Sequence, residues 1–231
     1  MRKINKFVMF GFFLLMSATL FAQDDMGSLG KIDYLYLART SIVMMALVLV
    51  SIVSLAAVVE RYIFFRKIRF NSKKTMKHVE KYIKEGDYAA VEKYCAKNNP
   101  LNNVIKAILE NKEKDKADLE AIYEIMRSQE KENMERFMMV LSSATAVSPL
   151  LGLLGTVTGI IKAFSDLAAA GTGGPSIIAA GVSEALVTTA FGLFIAIPVL
   201  IIFNFFNNKI RVILEELDVN IRILFFSIDK R

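Results

Sequence analysis

The sequence predicts an all-α integral membrane protein with three transmembrane helices and long cytoplasmic helical extensions, its N-terminus outside and its C-terminus inside. Of its 231 residues, 54% are hydrophobic, and the mean hydropathy is +0.42. This apolar content is gathered into a few long runs, as in membrane proteins. Residues 137–161 and 185–208 contain no formally charged side chain, and a helix of about 20 apolar residues spans a bilayer.

The chain begins with the pattern of a signal peptide, predicted over residues 1–22. A basic start is followed by an apolar stretch, residues 7–20, and Ala22 is a plausible cleavage point before an acidic flank. The rival interpretation is an uncleaved anchor helix. Cleavage would place the mature N-terminus outside the cytoplasm, in a periplasmic segment over residues 23–40.

A first transmembrane helix is predicted over residues 41–65. The following stretch, residues 66–84, carries eight Lys or Arg residues and one acid. Such an excess of basic residues marks the cytoplasmic side of a span. The same residues are expected to lie over anionic lipid head groups of the bilayer, each contributing about 1 kcal/mol.

Residues 66–137 are predicted to form a cytoplasmic helical domain. Gly86-Asp87 ends one helix and caps the next, and residues 98–100 break the chain again. A further helix begins at Asp118. No Gly or Pro interrupts it before the second span, so one continuous helix is predicted to project into the membrane.

The second and third spans, residues 138–167 and 177–207, are joined by a Gly-rich stretch without charge, predicted as a periplasmic turn over residues 168–176. The remainder, residues 208–231, is predicted as a cytoplasmic C-terminal helix. Its apolar residues alternate spacings of four and three, the pattern of helices that pack on helices. Either this helix lies on the cytoplasmic domain or it forms an oligomeric bundle.

Small and hydroxyl-bearing residues form a stripe along one face of each of the last two spans, at spacings of three and four. In the second span they are Thr145, Ser148, Gly152, Thr156 and Gly159. In the third span they are Ala185, Thr189, Gly192 and Ala196. Small residues let helix backbones approach closely in lipid. The residues predicted to pack helices together are Gly152, Gly155, Gly159, Gly192 and Ala196.

The stripes have two interpretations: surfaces that only pack, or a polar seam along which something passes. Thr156 and Thr189 fall at comparable depths in an antiparallel pair, so their hydroxyls are expected to face each other. Glu184, at the start of the third span, is a functional candidate because carboxylates at membranes are costly. If the seam is a pathway, the residues expected to line it are Thr156, Thr189, Glu184, Thr145 and Ser148.

Enzymatic and nucleic-acid functions are not indicated. The sequence shows no nucleophile–base–acid set, no metal-ligand cluster and no phosphate loop, so no catalytic residue, metal or cofactor is predicted. The net charge of +6 comes from basic residues clustered beside apolar runs, which does not favour nucleic acid.

Two segments resemble the signature of the MotA/TolQ/ExbB proton-channel family. They are Pro-Leu-Leu-Gly-Leu-Leu-Gly-Thr-Val-Thr-Gly at 149–159 and Gly-Val-Ser-Glu-Ala-Leu-Val-Thr-Thr-Ala-Phe-Gly at 181–192. Glu60-Arg61 also fits. The three-span layout resembles ExbB and TolQ more than four-span MotA, and ExbB most.

This resemblance implies a bacterial inner-membrane motor subunit. It implies a homopentamer around a dimer of an ExbD-like single-span protein, whose aspartate carries the proton past Thr156, Thr189 and Glu184. A TonB-like protein would then deliver the work to the outer membrane for transport. A TolQ-like subunit for envelope maintenance, a motility motor and a non-conducting structural scaffold are the alternatives.

Overall fold

The computed structural model describes residues 42–68, 72–170 and 175–229, and all regular structure in them is helical. The helices are α1 (Ile42–Lys67), α2 (Ser72–Glu85), α3 (Tyr88–Tyr94), α4 (Pro100–Glu110), α5 (Lys116–Glu135), α6 (Met138–Ala170) and α7 (Pro175–Asp229). Three of them, α1, α6 and α7, are long and apolar enough to cross a membrane. The predicted all-α, three-span class is confirmed, and the orientation of the termini stays a prediction. The signal peptide and the periplasmic N-terminal segment lie outside the described residues.

The described helices divide into two compact units. The first unit contains residues 42–58 and the described part of 139–204. The second unit contains the described parts of residues 59–138 and 205–229. The first unit therefore holds most of the apolar sequence of the three long helices, and the second holds α2 to α5.

The second unit has a continuous apolar core built from α2 to α5 and the end of α7. Its fully buried members include Val79, Val91, Leu101 and Ile105. Three heptad positions of the C-terminal segment, Leu217, Ile221 and Leu224, belong to the same core. These three side chains are thus covered within the second unit, as expected for a C-terminal helix that lies on this domain. The third span and this segment are predicted as separate pieces, and α7 passes through both without a break.

The predicted breaks between the short helices are confirmed. Gly86 has a φ of 77°, a conformation that glycine adopts without a steric penalty. Asp87 then caps α3, its carboxylate accepting a hydrogen bond of 2.9 Å from the amide of Ala90. Asn99 caps α4 in the same way, and Pro100 occupies its first turn, where a missing N–H costs nothing.

The prediction of one continuous helix from Asp118 into the second span is wrong. α5 ends at Glu135, α6 begins at Met138, and Phe137 between them has a φ of 63°. Neither glycine nor proline stands at this break. A tertiary contact lies at this break, where the Arg61 side chain donates to two carbonyls of the last turn of α5.

A polar network joins α5 to α7 inside the second unit. Arg127 donates two hydrogen bonds to Asp218, of 2.6 Å from Nε and 3.1 Å from Nη2, and the hydroxyl of Tyr123 donates a third. The Arg127 guanidinium holds the pKa of Asp218 below its ordinary value of 3.8. Burial, together with the bond to Asp218, raises the pKa of Tyr123. The network therefore fixes Asp218 as a carboxylate at neutral pH.

The Asp218 network is expected to make the second unit sensitive to acid. Because the folded pKa is depressed, the contribution of Asp218 is present above its unfolded value of 3.8 and is lost as pH falls through the folded pKa. Replacing Asp218 with asparagine should lower stability at pH 7 by about 1 kcal/mol, since the pair is partly exposed. Thermal unfolding in detergent between pH 7 and pH 3 measures both effects.

The matched control for this prediction is Glu113→Gln, which removes an exposed carboxylate outside the network. The control should unfold like the wild type at every pH. If Asp218→Asn loses as much stability on acidification as the wild type, the network is not the acid-sensitive element.

Candidate functional site

The helices α6 and α7 approach each other so closely that backbone meets backbone. A Cβ atom added at Gly152 would lie 3.0 Å from the Cα of Thr189 and 3.1 Å from the carbonyl oxygen of Thr188. One added at Gly192 would press on the Ser148 carbonyl and lie 3.2 Å from the Cα of Gly152. Only glycine fits at these two positions without moving a helix.

The close approach continues along both helices. Gly155 faces the side chain of Thr188, and a Cβ at Gly159 would lie 2.7 Å from the Cβ of Ala185. Gly181 lies outside the predicted stripes, and a Cβ added there would press on the Cβ of Ala163. Ala196 is buried on α7. The predicted packing glycines therefore do lie between the two helices.

Thr156 and Thr189 meet across this contact. Their Oγ1 atoms are 3.1 Å apart, as the comparable depth of the two residues leads one to expect. Thr189 Oγ1 also donates to the carbonyl of Gly152 at 2.8 Å, and Thr156 Oγ1 lies 2.7 Å from the carbonyl of Leu153. Both side chains are half-buried. A hydroxyl carries two acceptor lone pairs and one proton, so the pair retains capacity to accept a hydrogen bond from water or from a protonated carboxyl group.

Thr145 and Ser148 do not join this pair. Thr145 is half-buried and donates to the carbonyl of Ser142 at 2.7 Å, and the fully buried Ser148 donates to the carbonyl of Ala144 at 2.7 Å. Each hydroxyl is thus bonded within its own helix, as is common for hydroxyl side chains inside helices.

Glu184 occupies a separate place, a cleft of about 670 Å³ in the first unit. The cleft is lined by residues of α1, α6 and α7; its polar lining residues are Thr158, Lys162, Asp166, Glu184 and Thr188. Thr156 and Thr189 are not among its lining residues. The structure therefore brings the two threonines together and places Glu184 in the lining of this cleft.

A comparison with protein-family models finds a match to the MotA/TolQ/ExbB proton channel family over residues 96–219. This range contains both signature segments and the threonine pair. The chain belongs to the MotA/TolQ/ExbB family. The resemblance noted in the sequence is thereby confirmed, and the chain is a proton-channel motor subunit and a multi-pass inner-membrane protein.

Curated relatives of this family are similar over much of the chain. The Biopolymer transport protein ExbB of Neisseria meningitidis serogroup B is 31% identical over 190 residues, covering 76% of this chain and 86% of its own length. The Putative biopolymer transport protein ExbB-like 1 of Synechocystis is 31% identical over 174 residues, covering 72% and 67%. The Tol-Pal system protein TolQ of Pseudomonas aeruginosa is 38% identical over 96 residues, covering 40% and 42%. The family is a proton-channel and transport-motor family whose members work with partner proteins in motor complexes.

Lys162 and Asp166 are site residues of this MotA/TolQ/ExbB family chain that sequence reasoning missed. They lie after the charge-free run that ends at residue 161, inside the predicted second span. A signal was present, since Thr158, Lys162 and Asp166 recur every four residues and so share a helix face. Thr188 was missed because the stripe predicted on the third span contains its neighbour Thr189 and not Thr188 itself.

A metal or cofactor site is not indicated by the described part of the chain. No group of three or more His, Cys, Asp or Glu side chains is placed there to hold a metal ion. Cys95 is buried in the second unit, and that burial raises the pKa of its thiol to about 11. It is therefore a packing residue with little thiolate at neutral pH.

Proposed function

We propose that the chain is an ExbB-like subunit of an inner-membrane, proton-driven motor. Several copies, five by analogy with the family, form a ring around a dimer of an ExbD-like single-span protein. The ring couples the proton-motive force to a TonB-like protein, which energises outer-membrane transport. The observation that carries this proposal is the hydroxyl pair of Thr156 and Thr189, held in helices whose central parts have no titratable group of their own.

The absence of a carboxylate from the two charge-free runs that carry the hydroxyl pair argues for a partner protein. Residues 137–161 and 185–208 contain no charged side chain, and a threonine hydroxyl does not titrate near neutral pH. The pair can position or relay a proton but not store one. A proton that crosses the membrane here needs a carrier with an accessible pKa, such as an aspartate in the span of the ExbD-like protein.

Glu184 and its cleft have a supporting role in this proposal. With Lys162, Asp166 and Glu184 around one cleft, the first unit carries three formal charges beside the hydroxyl-bearing Thr158 and Thr188. Charged side chains in membrane segments tend to face water-filled cavities or partner groups. In the proposed motor, Glu184 tunes the local field or the access of protons from the outer side.

A TolQ-like role in envelope maintenance is the second candidate. The TolQ relative from Pseudomonas aeruginosa is 38% identical over 96 residues, whereas the ExbB relative from Neisseria meningitidis is 31% identical over 190 residues. The longer match supports the ExbB-like proposal. The two functions share a mechanism and differ in the protein that receives the work.

The proposal is tested by expressing the chain with a single-span protein from the same genome that has an aspartate in its membrane helix. Native mass spectrometry of the complex is expected to show five copies of the chain and two of the partner. Replacing the partner's aspartate with asparagine should abolish energised uptake of an outer-membrane substrate and leave the complex assembled. A chain that purifies without any such partner, or full uptake with the asparagine variant, would contradict the proposal.

A further inference from the structure

Arg61 is a fully buried cation in the second unit, with an exposed fraction of 1%. Its Nη1 atom donates to two backbone carbonyls of the last turn of α5, those of Asn133 and Met134, both at 3.1 Å. A buried charge is costly unless its donors are satisfied, and here the satisfying groups are carbonyls at a helix end.

These two carbonyls are the ones that a longer helix would use. In an α-helix the amide of residue i donates to the carbonyl of residue i−4. If α5 ran on into α6, the amides of Phe137 and Met138 would donate to the carbonyls of Asn133 and Met134. The Arg61 guanidinium occupies the positions that those two amides would take, so its binding and helix continuation compete.

The remaining contacts hold the guanidinium in place. Its Nη2 atom donates to Glu60 at 2.6 Å, and Nε donates to the other oxygen of the same carboxylate. The ring of Phe64 lies 4.4 Å from the Arg61 Cζ atom, and the ring of Phe137 lies 5.6 Å from it. The Nε and Nη2 atoms thus bind Glu60, which orients the guanidinium, and the Nη1 atom caps α5.

The backbone at the break is unfavourable on its own. Phe137 has a φ of 63°, which a bulky side chain rarely adopts and which persists only where its surroundings impose it. The local sequence, with no Gly or Pro from 118 to 148, favours a helix. The surroundings that impose the break are the contacts of Arg61.

We infer that the contacts of Arg61 keep α5 and α6 apart as two helices, and that the two helices join when these contacts are lost. With Arg61 bound, α5 and α6 are separate; with Arg61 released, residues 116–170 join into one helix. Arg61 is a positioning residue, since its bonds to the carbonyls of Asn133 and Met134 hold the end of α5. The inference stands on these contacts and does not depend on the proposed partners.

The test measures the distance between spin labels at Ser128 and Ala146, two exposed positions on either side of the break. One continuous helix separates their Cα atoms by about 27 Å, and a break between α5 and α6 moves the distance away from this value. Labelled chains are diluted with unlabelled ones so that distances within one chain dominate. Arg61→Gln is expected to shift the distribution to the distance of the continuous helix, about 27 Å. The double variant Arg61→Gln/Phe137→Gly should return toward the wild type, since glycine takes a positive φ without penalty.

A wild-type distance distribution in a folded Arg61→Gln variant would overturn the inference. If that variant does not fold, Phe137→Ala and Phe137→Gly are compared with Arg61 intact. Both remove the ring, but only alanine favours the continuous helix. The alanine variant is expected to show a second population at about 27 Å, the distance of the continuous helix, that the glycine variant lacks. Identical distributions would overturn the two-state model.

Discussion

Replacing Thr189 with valine is expected to abolish energised transport and to leave the protein folded and assembled. Valine has the shape of threonine without the hydroxyl. The variant loses the 2.8 Å bond to the Gly152 carbonyl and the 3.1 Å contact with Thr156. The cost in stability is about 1 kcal/mol, the net value of one hydrogen bond. The expected transport defect is large because the variant keeps only one of the two hydroxyls of the pair.

Transport of an outer-membrane substrate and the mass of the complex are measured together for Thr189→Val. The matched control is Thr75→Val, because Thr75 lies on α2 in the second unit and belongs neither to the hydroxyl pair nor to the lining of the cleft. Thr189→Ser restores the hydroxyl and should recover transport. A structural scaffold would tolerate Thr189→Ala and Thr189→Val alike, so wild-type transport in either variant would rule out a role for the hydroxyl pair.

The second large effect is expected at Gly192, where valine should prevent the stable packing of α6 on α7. Its Cβ alone would press on the Ser148 carbonyl and on the backbone of Gly152. Backbone atoms cannot rotate away as a side chain does, so the helices must separate. Overpacking of this kind costs about 3 kcal/mol. Thermal unfolding in detergent and the yield of assembled complex report the loss.

Ala190→Val is the control for Gly192→Val. Ala190 lies two residues away on the same helix and is exposed in the first unit, so added methyl groups meet no neighbouring helix there. The control should unfold at the wild-type temperature. Equal unfolding temperatures for Gly192→Val and Ala190→Val would show that α6 and α7 do not need glycine at their contact.

Features that depend on local sequence were predictable. The charge-free runs give the spans, and Gly86-Asp87 and Pro100 give the helix boundaries, because the cause of each lies within a few residues. The break at Phe137 was not predictable in this way. Its cause, Arg61, lies more than 70 residues earlier in the chain, and nothing in the sequence around Phe137 opposes a helix.

In the candidate site, too, features that depend on local sequence were predictable and features that depend on distant contacts were not. Helical periodicity places Thr156 and Thr189 on stripes, and their similar depth in antiparallel helices brings their hydroxyls together. Periodicity does not say which neighbouring surface a residue meets. The cleft that Glu184 lines with Lys162 and Asp166 is a neighbourhood of this kind, which periodicity does not reveal.

The backbone contact of Gly152 with Gly192 has a mechanical consequence. Two helices that touch through side chains can slide or roll, since side chains change rotamer. Where main chain rests on main chain and a hydroxyl bridges to a carbonyl, rolling either helix about its axis requires the two to separate first. In a rotary machine of the proposed kind, α6 and α7 would then act as a stiff stator wall, and the torque would appear as movement of the enclosed partner and not as deformation of the ring.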